Sequence, residues 1–285
     1  MRKALLPITA VIISASAMSQ TVLITQDFES FDPGDPLAQS AGLPWTTWSN
    51  APGGVEDTEV TDTLAHGGNM SAVFESTAAN GGPTDVILQL GNRTAGQYLL
   101  GWWMRIPAGK GGYFNIQKSI TPGQSWSIDV IFRASGAIEL STNASAGATT
   151  SYPVDQWFLV GMSFDLDASA ATLTIDGNTA ATWVTTTAVG TGGVGLNQIG
   201  AVNFYGYSGG DQSEYYIDDL SFVDISGVGV SDLGALEATA FPNPTTGAFV
   251  VDAAGISSSA VMSVVNLTGR QVIAPRALLR RGDLS

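Results

Sequence analysis

The sequence predicts an all-β protein in which two sheets pack face to face. Ten runs of residues alternate apolar and polar side chains with a period of two, which is the side-chain period of a β-strand. Clusters rich in glycine, proline, asparagine and aspartate separate these runs, and 34 of the 285 residues are glycine. Because one open sheet of ten strands would leave an apolar face uncovered, we expect two packed sheets. No repeat of fixed length is present in the sequence, which argues against a propeller or a β-helix.

The first 19 residues are typical of a secretory signal peptide. A basic start, MRK, precedes an apolar stretch over residues 4–17, and Ala17 and Ser19 place small residues just before Gln20. The apolar stretch is too short to cross a bilayer, and no later segment reaches about 18 consecutive apolar residues. The sequence therefore predicts export, cleavage after residue 19 and no membrane-spanning helix.

The predicted strands lie between residues 20 and 225. They cover residues 70–75, 86–90, 97–106, 113–118, 125–133, 137–140, 157–166, 171–175, 202–207 and 215–223. The clearest of them is 125–133. One of its faces is expected to carry Trp126, Ile128, Val130 and Phe132, and the other Ser127, Asp129, Ile131 and Arg133. Asp176 and Gly177 give a hairpin signal between two of the later strands.

Composition narrows the classes of function. The chain has no cysteine, which excludes thiol chemistry and cysteine-based metal sites. Its one histidine, His66, cannot form a multi-histidine zinc site. The formal net charge is −14, and residues 20–225 contain only five basic residues, so nucleic acid and anionic membrane surfaces are not expected as partners.

Residues 20–225 resemble the concanavalin A-like (laminin G-like) jelly rolls of secreted Bacteroidetes proteins. The resemblance lies in five segments taken in order: TQDFES at 25–30, WTTWS at 45–49, HGGNMSA at 66–72, WFLV at 157–160 and YYIDDLSF at 215–222. It implies a two-sheet jelly-roll sandwich whose first and last strands lie together and whose concave sheet is the usual ligand surface. A galactose-binding type of jelly roll has a similar beginning and end but is usually shorter.

The two ends of this domain suggest a structural calcium site. Alternation places Asp218 on the same side of its strand as the apolar Leu220 and Phe222, and an inward carboxylate must be paired, hydrogen-bonded or bound to a metal. Oxygen-rich clusters of this kind suit calcium. The metal ligands predicted here are Asp27, Glu29 and Asp218, and the alternative is that these carboxylates accept hydrogen bonds from backbone amides.

A ligand surface is expected where alternation brings aromatic and polar side chains together. The predicted ligand-binding residues are Trp103, Arg105, Tyr113, Asn115, Gln117, Asp129 and Tyr205, with Ser127, Asn203 and Tyr207 beside them on one face. Flat rings stack on sugar rings, while amides and carboxylates bond sugar hydroxyls, so this inventory favours a glycan or another cell-surface polymer as partner. Ordinary packing of aromatic residues in a sheet is the alternative.

Hydrolysis is a further alternative, because glucanases share the concanavalin A-like fold. That family places its two catalytic carboxylates on one strand as Glu-x-Asp-x-x-Glu, and this spacing does not occur in the sequence. The sequence therefore leaves enzyme activity open and leans against it. A structural or protein-adhesive module without a sugar site is the remaining alternative.

The C-terminal region resembles the sorting domain of the type IX secretion system. After a linker at 226–238, residues 239–285 contain FPNPTTGAF at 241–249 and VVNLTGR at 264–270, followed by QVI. Pro242 and Pro244 favour extended chain, and Leu267 to Arg270 reads as a hairpin turn between two strands. The family usually continues for another strand or two, so the sorting domain is expected to be incomplete here. The resemblance implies the type IX secretion machinery as a partner, export through the periplasm, and a secreted or outer-surface location.

Overall fold

The structure is a computed structural model that describes residues 20–77, 80–141, 143–189, 195–207 and 209–226, together with the backbone of four strands between residues 238 and 277. The chain divides into two units, and the first spans Gln20–Gly227. The predicted signal peptide at 1–19 and nearly all of the predicted linker at 226–238 lie outside the described residues. Within the described part of the chain, no helix has the length and apolarity needed to cross a membrane.

The regular secondary structure of the first unit is nearly all β-strand. In chain order these are β1 (Thr21–Gln26), β2 (Trp45–Thr47), β3 (Glu59–Thr61), β4 (Ser71–Glu75), β5 (Asp85–Arg93), β6 (Gln97–Arg105), β7 (Gly112–Gln117), β8 (Trp126–Phe132), β9 (Ile138–Leu140), β10 (Ser145–Ala146), β11 (Trp157–Asp165), β12 (Ala170–Ile175), β13 (Asn178–Val184), β14 (Ile199–Tyr205) and β15 (Glu214–Asp224). One short helix, α1 (Leu37–Ala41), lies between the first two strands. Each predicted strand has a counterpart within a few residues of its expected bounds.

The strands form two antiparallel sheets, which confirms the predicted all-β, two-sheet jelly-roll sandwich. The nine-stranded sheet has the order β10-β13-β12-β11-β6-β15-β4-β3, with β1 also paired to β15. The six-stranded sheet has the order β2-β5-β14-β7-β8-β9. First and last strands are neighbours, since Thr25 pairs with Ser221 and Gln26 with Leu220.

The core lies between the two sheets and is rich in aromatic rings. Trp102 of the larger sheet meets Phe114 and Phe204 of the smaller one edge to face, at centroid distances of 5.0 and 5.1 Å. Phe74 stacks on Tyr215 at 5.0 Å, and all five of these side chains are buried. Large rings in these geometries contribute strongly to core stability, so the inner face of each strand is fixed by packing. The opposite face of each sheet is the outer face.

The second unit contributes four described strands in two antiparallel pairs. Strand β16 (Ala238–Phe241) pairs with β17 (Val250–Ala253), and β18 (Val261–Val265) pairs with β19 (Gln271–Ala277). The predicted turn at 267–270 lies between β18 and β19, outside the described residues. The antiparallel pairing of β18 and β19 agrees with the hairpin that the sequence predicts there.

Candidate ligand-binding face

The structure divides the predicted ligand-binding residues between two surfaces. Trp103 and Arg105 belong to β6 of the nine-stranded sheet, whereas the other five predicted residues belong to β7, β8 and β14 of the six-stranded sheet. Trp103 and Arg105 lie on the outer face, because their neighbours Trp102 and Met104 fill the core. The prediction of one shared face is therefore wrong. Alternation tells which residues share a face of one strand, but it does not tell which sheet the strand joins.

The outer face of the six-stranded sheet brings the remaining predicted residues together. We call this surface the polar face; it comprises Asp85, Tyr113, Asn115, Gln117, Trp126, Asp129, Asn203 and Tyr205, together with Tyr207 just beyond the end of β14. Strand register explains the grouping, since Asn203 pairs with Asn115, and Asn115 pairs with Asp129. Residues directly opposite one another on neighbouring strands point to the same side of the sheet.

A continuous chain of hydrogen bonds crosses the polar face from one carboxylate to another. Asn203 Nδ2 donates to Asp85 Oδ1 at 2.5 Å, and Asn115 Nδ2 donates to Asn203 Oδ1 at 3.0 Å. Asn115 Nδ2 also lies 2.9 Å from the Tyr113 hydroxyl, which donates to Asp129 Oδ1 at 2.5 Å. Each of these side chains therefore has its orientation fixed by at least one neighbour, and the network is held rigid.

Burial separates the floor of the polar face from its accessible part. Asn115, Gln117 and Asn203 are 4%, 0% and 3% exposed although they point away from the core, so taller neighbours cover them. Gln117 is satisfied within the floor, since it donates to Asn115 Oδ1 at 2.6 Å and accepts from the amide of Gly123 at 3.1 Å. The predicted residues Asn115 and Gln117 therefore position their neighbours. Asp85, Asp129 and Tyr205 are partly exposed and can contact a ligand.

Three tyrosine rings gather at one end of the polar face. Tyr205 and Tyr207 are nearly parallel, with centroids 6.0 Å apart and an interplanar angle of 16°. Tyr113 meets both of them edge-on, at 6.1 and 5.6 Å. Tyr205 and Tyr207 are partly exposed, so they present ring surface to solvent beside the hydrogen-bond network.

Trp126 lies at the other end, on the face opposite to the predicted one. Gln117 pairs with Trp126, whereas Ile116 pairs with Ile128, so the register shifts at Ser127. A bulge adds one residue and moves the side chains that precede it to the other face of the strand. Trp126 thus joins Asp129 on the polar face, and its buried Nε1 has no hydrogen-bond partner among the residues that the structure describes. An alternating pattern contains no sign of such an extra residue, which is why the sequence prediction failed here.

Asp85, like Trp126, is a member of the polar face that the sequence analysis did not predict. Burial raises the pKa of its carboxyl to about 7, the hydrogen bond from Asn203 opposes this shift, and the charge of Glu56 adds to it. The same carboxylate contributes to raising the pKa of Tyr205, after the larger effect of burial. Its place at the start of an apolar strand carries no sign that side chains of other strands bury it.

Loops flank the polar face on two sides. A side-chain carbon at Gly123 would lie 2.9 Å from the ring of Trp48, and one at Gly81 would lie 2.7 Å from the Tyr205 hydroxyl. The backbone at Gly81 has a φ of +93°, which favours glycine on conformational grounds as well. The loop around Gly123 therefore packs on Trp48, and the loop around Gly81 packs on Tyr205.

Trp103 on the opposite sheet has a different environment. His66 stacks on its ring with centroids 3.9 Å apart and an interplanar angle of 12°, and the ring of Trp157 meets His66 edge-on at 5.8 Å. His66 Nδ1 lies 2.7 Å from Asp219 Oδ2, and Arg105 pairs with Asp155 at 3.0 Å. One face of Trp103 is therefore already covered by the segment that carries His66.

The predicted metal ligands surround the same glycine-rich segment. Asp218 Oδ2 accepts the amides of His66 and Gly67 at 2.8 and 3.1 Å, and Glu29 Oε1 accepts those of Asn69 and Met70 at 2.8 and 2.7 Å. The hydrogen bonds that Glu29 accepts from the amides of Met70 and Asn69 hold the pKa of its carboxyl below the usual value. Asp27 Oδ1 accepts the amide of Glu29 at 3.3 Å.

The prediction that Asp218 lies on the apolar, core-facing side of its strand is wrong. Asp218 pairs with Trp103 on the outer face, whereas Phe222 pairs with the core residue Leu100, and the register shifts between Asp218 and Ser221. The intervening Asp219 has a φ of +49°, as in a bulge. Asp218 is nevertheless fully buried, because the segment at 66–67 covers it. Burial raises its pKa, and the amides that it binds oppose the shift.

Calcium binding at Asp27, Glu29 and Asp218 stays a prediction. The backbone amides described above already give these carboxylates partners. In the described residues, no group of three or more His, Cys, Asp or Glu side chains is arranged to hold a metal ion. Thermal unfolding in millimolar calcium and in EDTA tests the prediction: a melting temperature that is equal in both would contradict it, and one that rises with calcium would support it.

The solved structures compared with the chain are distant in sequence. No family model matches the chain, and no curated protein matches it. Similar solved structures include the cellulose induced protein Cip1 (16% identity, TM-score 0.45, covering 70% of this chain and 96% of that one) and the endo-1,3-beta-glucanase from Streptomyces sioyaensis (13%, 0.43, 75% and 99%). The CBM22-1 xylan-binding domain from Paenibacillus barcinonensis Xyn10C is another (12%, 0.36, 74% and 99%), and a match to a sialidase spans 18% of that chain. At these levels of similarity, none of them assigns a ligand or an activity to this chain.

Proposed function

We propose that this protein is an exported, non-catalytic glycan-binding protein whose site is the polar face of the six-stranded sheet. The observation that carries the proposal is the partly exposed pair Tyr205 and Tyr207 beside the carboxylates Asp85 and Asp129. Aromatic rings bury the apolar faces of sugar rings, and carboxylates accept hydrogen bonds from sugar hydroxyls. The combination suits a ligand that has both kinds of surface.

The hydrogen-bond network supports the proposal because it fixes the site before a ligand arrives. Hydrogen bonds of 3.0 Å or less join Tyr113, Asn115 and Asn203 into one network that also holds both carboxylates. A site whose side chains are already ordered loses less conformational entropy on binding. Glycans offer little apolar surface, so a rigid site is an advantage in binding them.

The spacing of the two carboxylates favours binding over hydrolysis. Asp85 lies on β5 and Asp129 on β8, with β14 and β7 between them. Three strand spacings amount to roughly 14 Å between backbones. Glycosidases hold their two carboxyl groups about 5 Å apart when retaining and roughly 6.5–9.5 Å apart when inverting. Release of reducing sugar from a bound polymer would contradict the non-catalytic part of the proposal.

Replacing Tyr207 by alanine is expected to weaken glycan binding by about 2 kcal/mol, roughly 30-fold, because a stacking ring is lost. Tyr207→Phe keeps the ring and should retain most of the affinity. The measurement is affinity electrophoresis of the full chain in native gels that contain hydroxyethylcellulose, xylan or laminarin. Trp103→Ala removes an aromatic ring from the opposite sheet and should leave the retardation unchanged. Retardation by none of the polymers, or loss of retardation in Trp103→Ala alone, would contradict the proposed site.

The export route is supported by the sequence of the two termini. Residues 1–19 have the features of a signal peptide, and 239–285 resemble a type IX sorting domain. We expect the protein in the culture medium or on the outer cell surface, with Gln20 as its first residue. N-terminal sequencing of the exported protein checks this, and a mature chain that keeps its first 19 residues would contradict it.

A further inference from the structure

We infer that the polar face takes an uncharged glycan and rejects glycans that carry uronate or sulfate groups. This inference rests on the proposed function and adds the class of ligand to it. It follows from where the charged side chains of the first unit lie.

The basic residues of this unit are all described and are engaged by other groups. Arg105 pairs with Asp155 on the opposite sheet, and Lys110 pairs with Glu214 at 2.9 Å. Arg93 Nε donates to the carbonyl of Leu90, and its guanidinium lies 6.0 Å from the ring of Tyr98. Lys118 is 1% exposed and donates to the carbonyls of Thr185 and Leu196.

Arg133 is the basic residue that continues the strand of the polar face. Its Nε lies 3.2 Å from Asp211 and 3.6 Å from Glu139, so two carboxylates face one guanidinium. Its Nη1 also donates to the carbonyl of Gly209. The charge at this end of the face is therefore negative overall even with Arg133 included.

The acidic groups, by contrast, point at the ligand surface. Asp85 and Asp129 are both partly exposed on the polar face, and the hydrogen bonds described for their carboxylates come from the neutral side chains of Asn203 and Tyr113. Glu56 lies close enough to Asp85 to add to the rise in its pKa. Burial raises the pKa of Tyr113, and the negative charges of Asp129 and Asp85 both add to that rise, so both carboxylates act on the same surface.

Above the pKa of Asp85, about 7, a ligand anion on this face would meet two carboxylates without a free cation to offset them, so binding is compared at pH 8. Charges held a few ångströms apart in a partly desolvated site repel strongly, so each anionic group should weaken binding at least tenfold. Neutral sugar hydroxyls should instead bind favourably, because carboxylates accept hydrogen bonds from them. The polar face should therefore bind neutral glycans more tightly than anionic ones.

Matched pairs of polymers test the inference on the full chain. The pairs are hydroxyethylcellulose and carboxymethylcellulose, dextran and dextran sulfate, and methyl-esterified and de-esterified galacturonan, each used in affinity electrophoresis at low and high salt. We expect retardation by at least one neutral member and at least tenfold weaker retardation by its acidic partner. The difference should shrink in high salt, because added ions screen repulsion.

Two variants locate the effect. Asp129→Asn removes one charge from the polar face and keeps an acceptor for the Tyr113 hydroxyl. The ratio of the affinity for the neutral polymer to that for the acidic one should therefore fall severalfold. Asp155→Asn removes the same charge from the turn before β11, where Asp155 pairs with Arg105 of the nine-stranded sheet, and should leave the ratio of neutral to acidic binding unchanged. Both substitutions are nearly equal in volume to the original residue.

The outcomes separate the inference from the proposed function. Equal or tighter retardation by an acidic member would overturn the inference and leave glycan binding standing. The inference would also be overturned if the ratio of affinities for neutral and acidic polymers were unchanged by high salt and by Asp129→Asn. The preference for neutral polymers would then not be electrostatic. Retardation by no member of any pair would overturn the proposed function and the inference with it.

Discussion

Replacing Asp218 by alanine is expected to lower the free energy of unfolding by about 3 kcal/mol. Asp218 is fully buried and accepts three backbone amides, from His66, Gly67 and Asp219. Alanine would leave these donors without an acceptor, and buried donors without partners are costly. It would also release the segment whose His66 ring stacks on Trp103.

Urea unfolding of the full chain, followed by tryptophan fluorescence, measures this loss. Asp219→Asn is the matched control, because Asp219 is more exposed, contacts only the His66 ring among the described side chains, and has a left-handed backbone that asparagine tolerates. We expect the control to change stability by less than about 1 kcal/mol. A loss below about 0.5 kcal/mol in Asp218→Ala would show that these amides find other partners.

Replacing Asp85 by asparagine is expected to stabilise the protein at neutral pH while weakening glycan binding. Burial raises the folded-state pKa of Asp85 to about 7, from an ordinary value of 3.8. Between about pH 4 and pH 7 the folded protein therefore holds a proton that the unfolded chain has released. The contribution of Asp85 to stability consequently falls as the pH rises through this window. Asparagine does not titrate, so Asp85→Asn should not lose stability in this way.

The expected gain in Asp85→Asn at pH 8 is about 2 kcal/mol, half the full value of such a shift because the carboxylate is partly solvated. Below about pH 4 the variant and the wild type should have equal stability. Affinity for the bound glycan should fall roughly tenfold, because the amide is a weaker acceptor than the carboxylate. Such opposed effects are typical of residues kept for function at a cost in stability.

Urea unfolding at a series of pH values, together with affinity electrophoresis, measures both effects. Asp155→Asn, in the turn before β11, serves as the control and should change neither quantity. A stability difference that does not vary between pH 4 and pH 8 would contradict the assigned charge state of Asp85.

The fold could be predicted because its main determinant is visible in the sequence. A period of two in side-chain polarity fixes which residues of each strand face the core, and ten such strands need two sheets. On β6 the predicted alternation is observed, with Trp102 and Met104 inside and Trp103 and Arg105 outside. Within one regular strand, the sequence contains all the information that the assignment needs.

The errors lie where the alternation is interrupted or where sheets must be distinguished. The bulges at Ser127 and Asp219 each add one residue and move Trp126 and Asp218 to the opposite faces from those predicted. Strand order is set by contacts between residues far apart in sequence, so Trp103 and Tyr113 could not be assigned to different sheets in advance. The partnership of Asp85 with Asn203 joins residues 118 positions apart and has no local signal.

Hydrogen exchange of the full chain, with and without a short oligosaccharide of the polymer that retards it, tests the central claim most directly. We expect slower exchange in the loops beside the polar face, at 119–125, 206–207 and 209–213, and no change at 64–70 beside Trp103. Protection confined to 64–70 and to the strands around Trp103 would contradict it, because the ligand would then bind the opposite sheet.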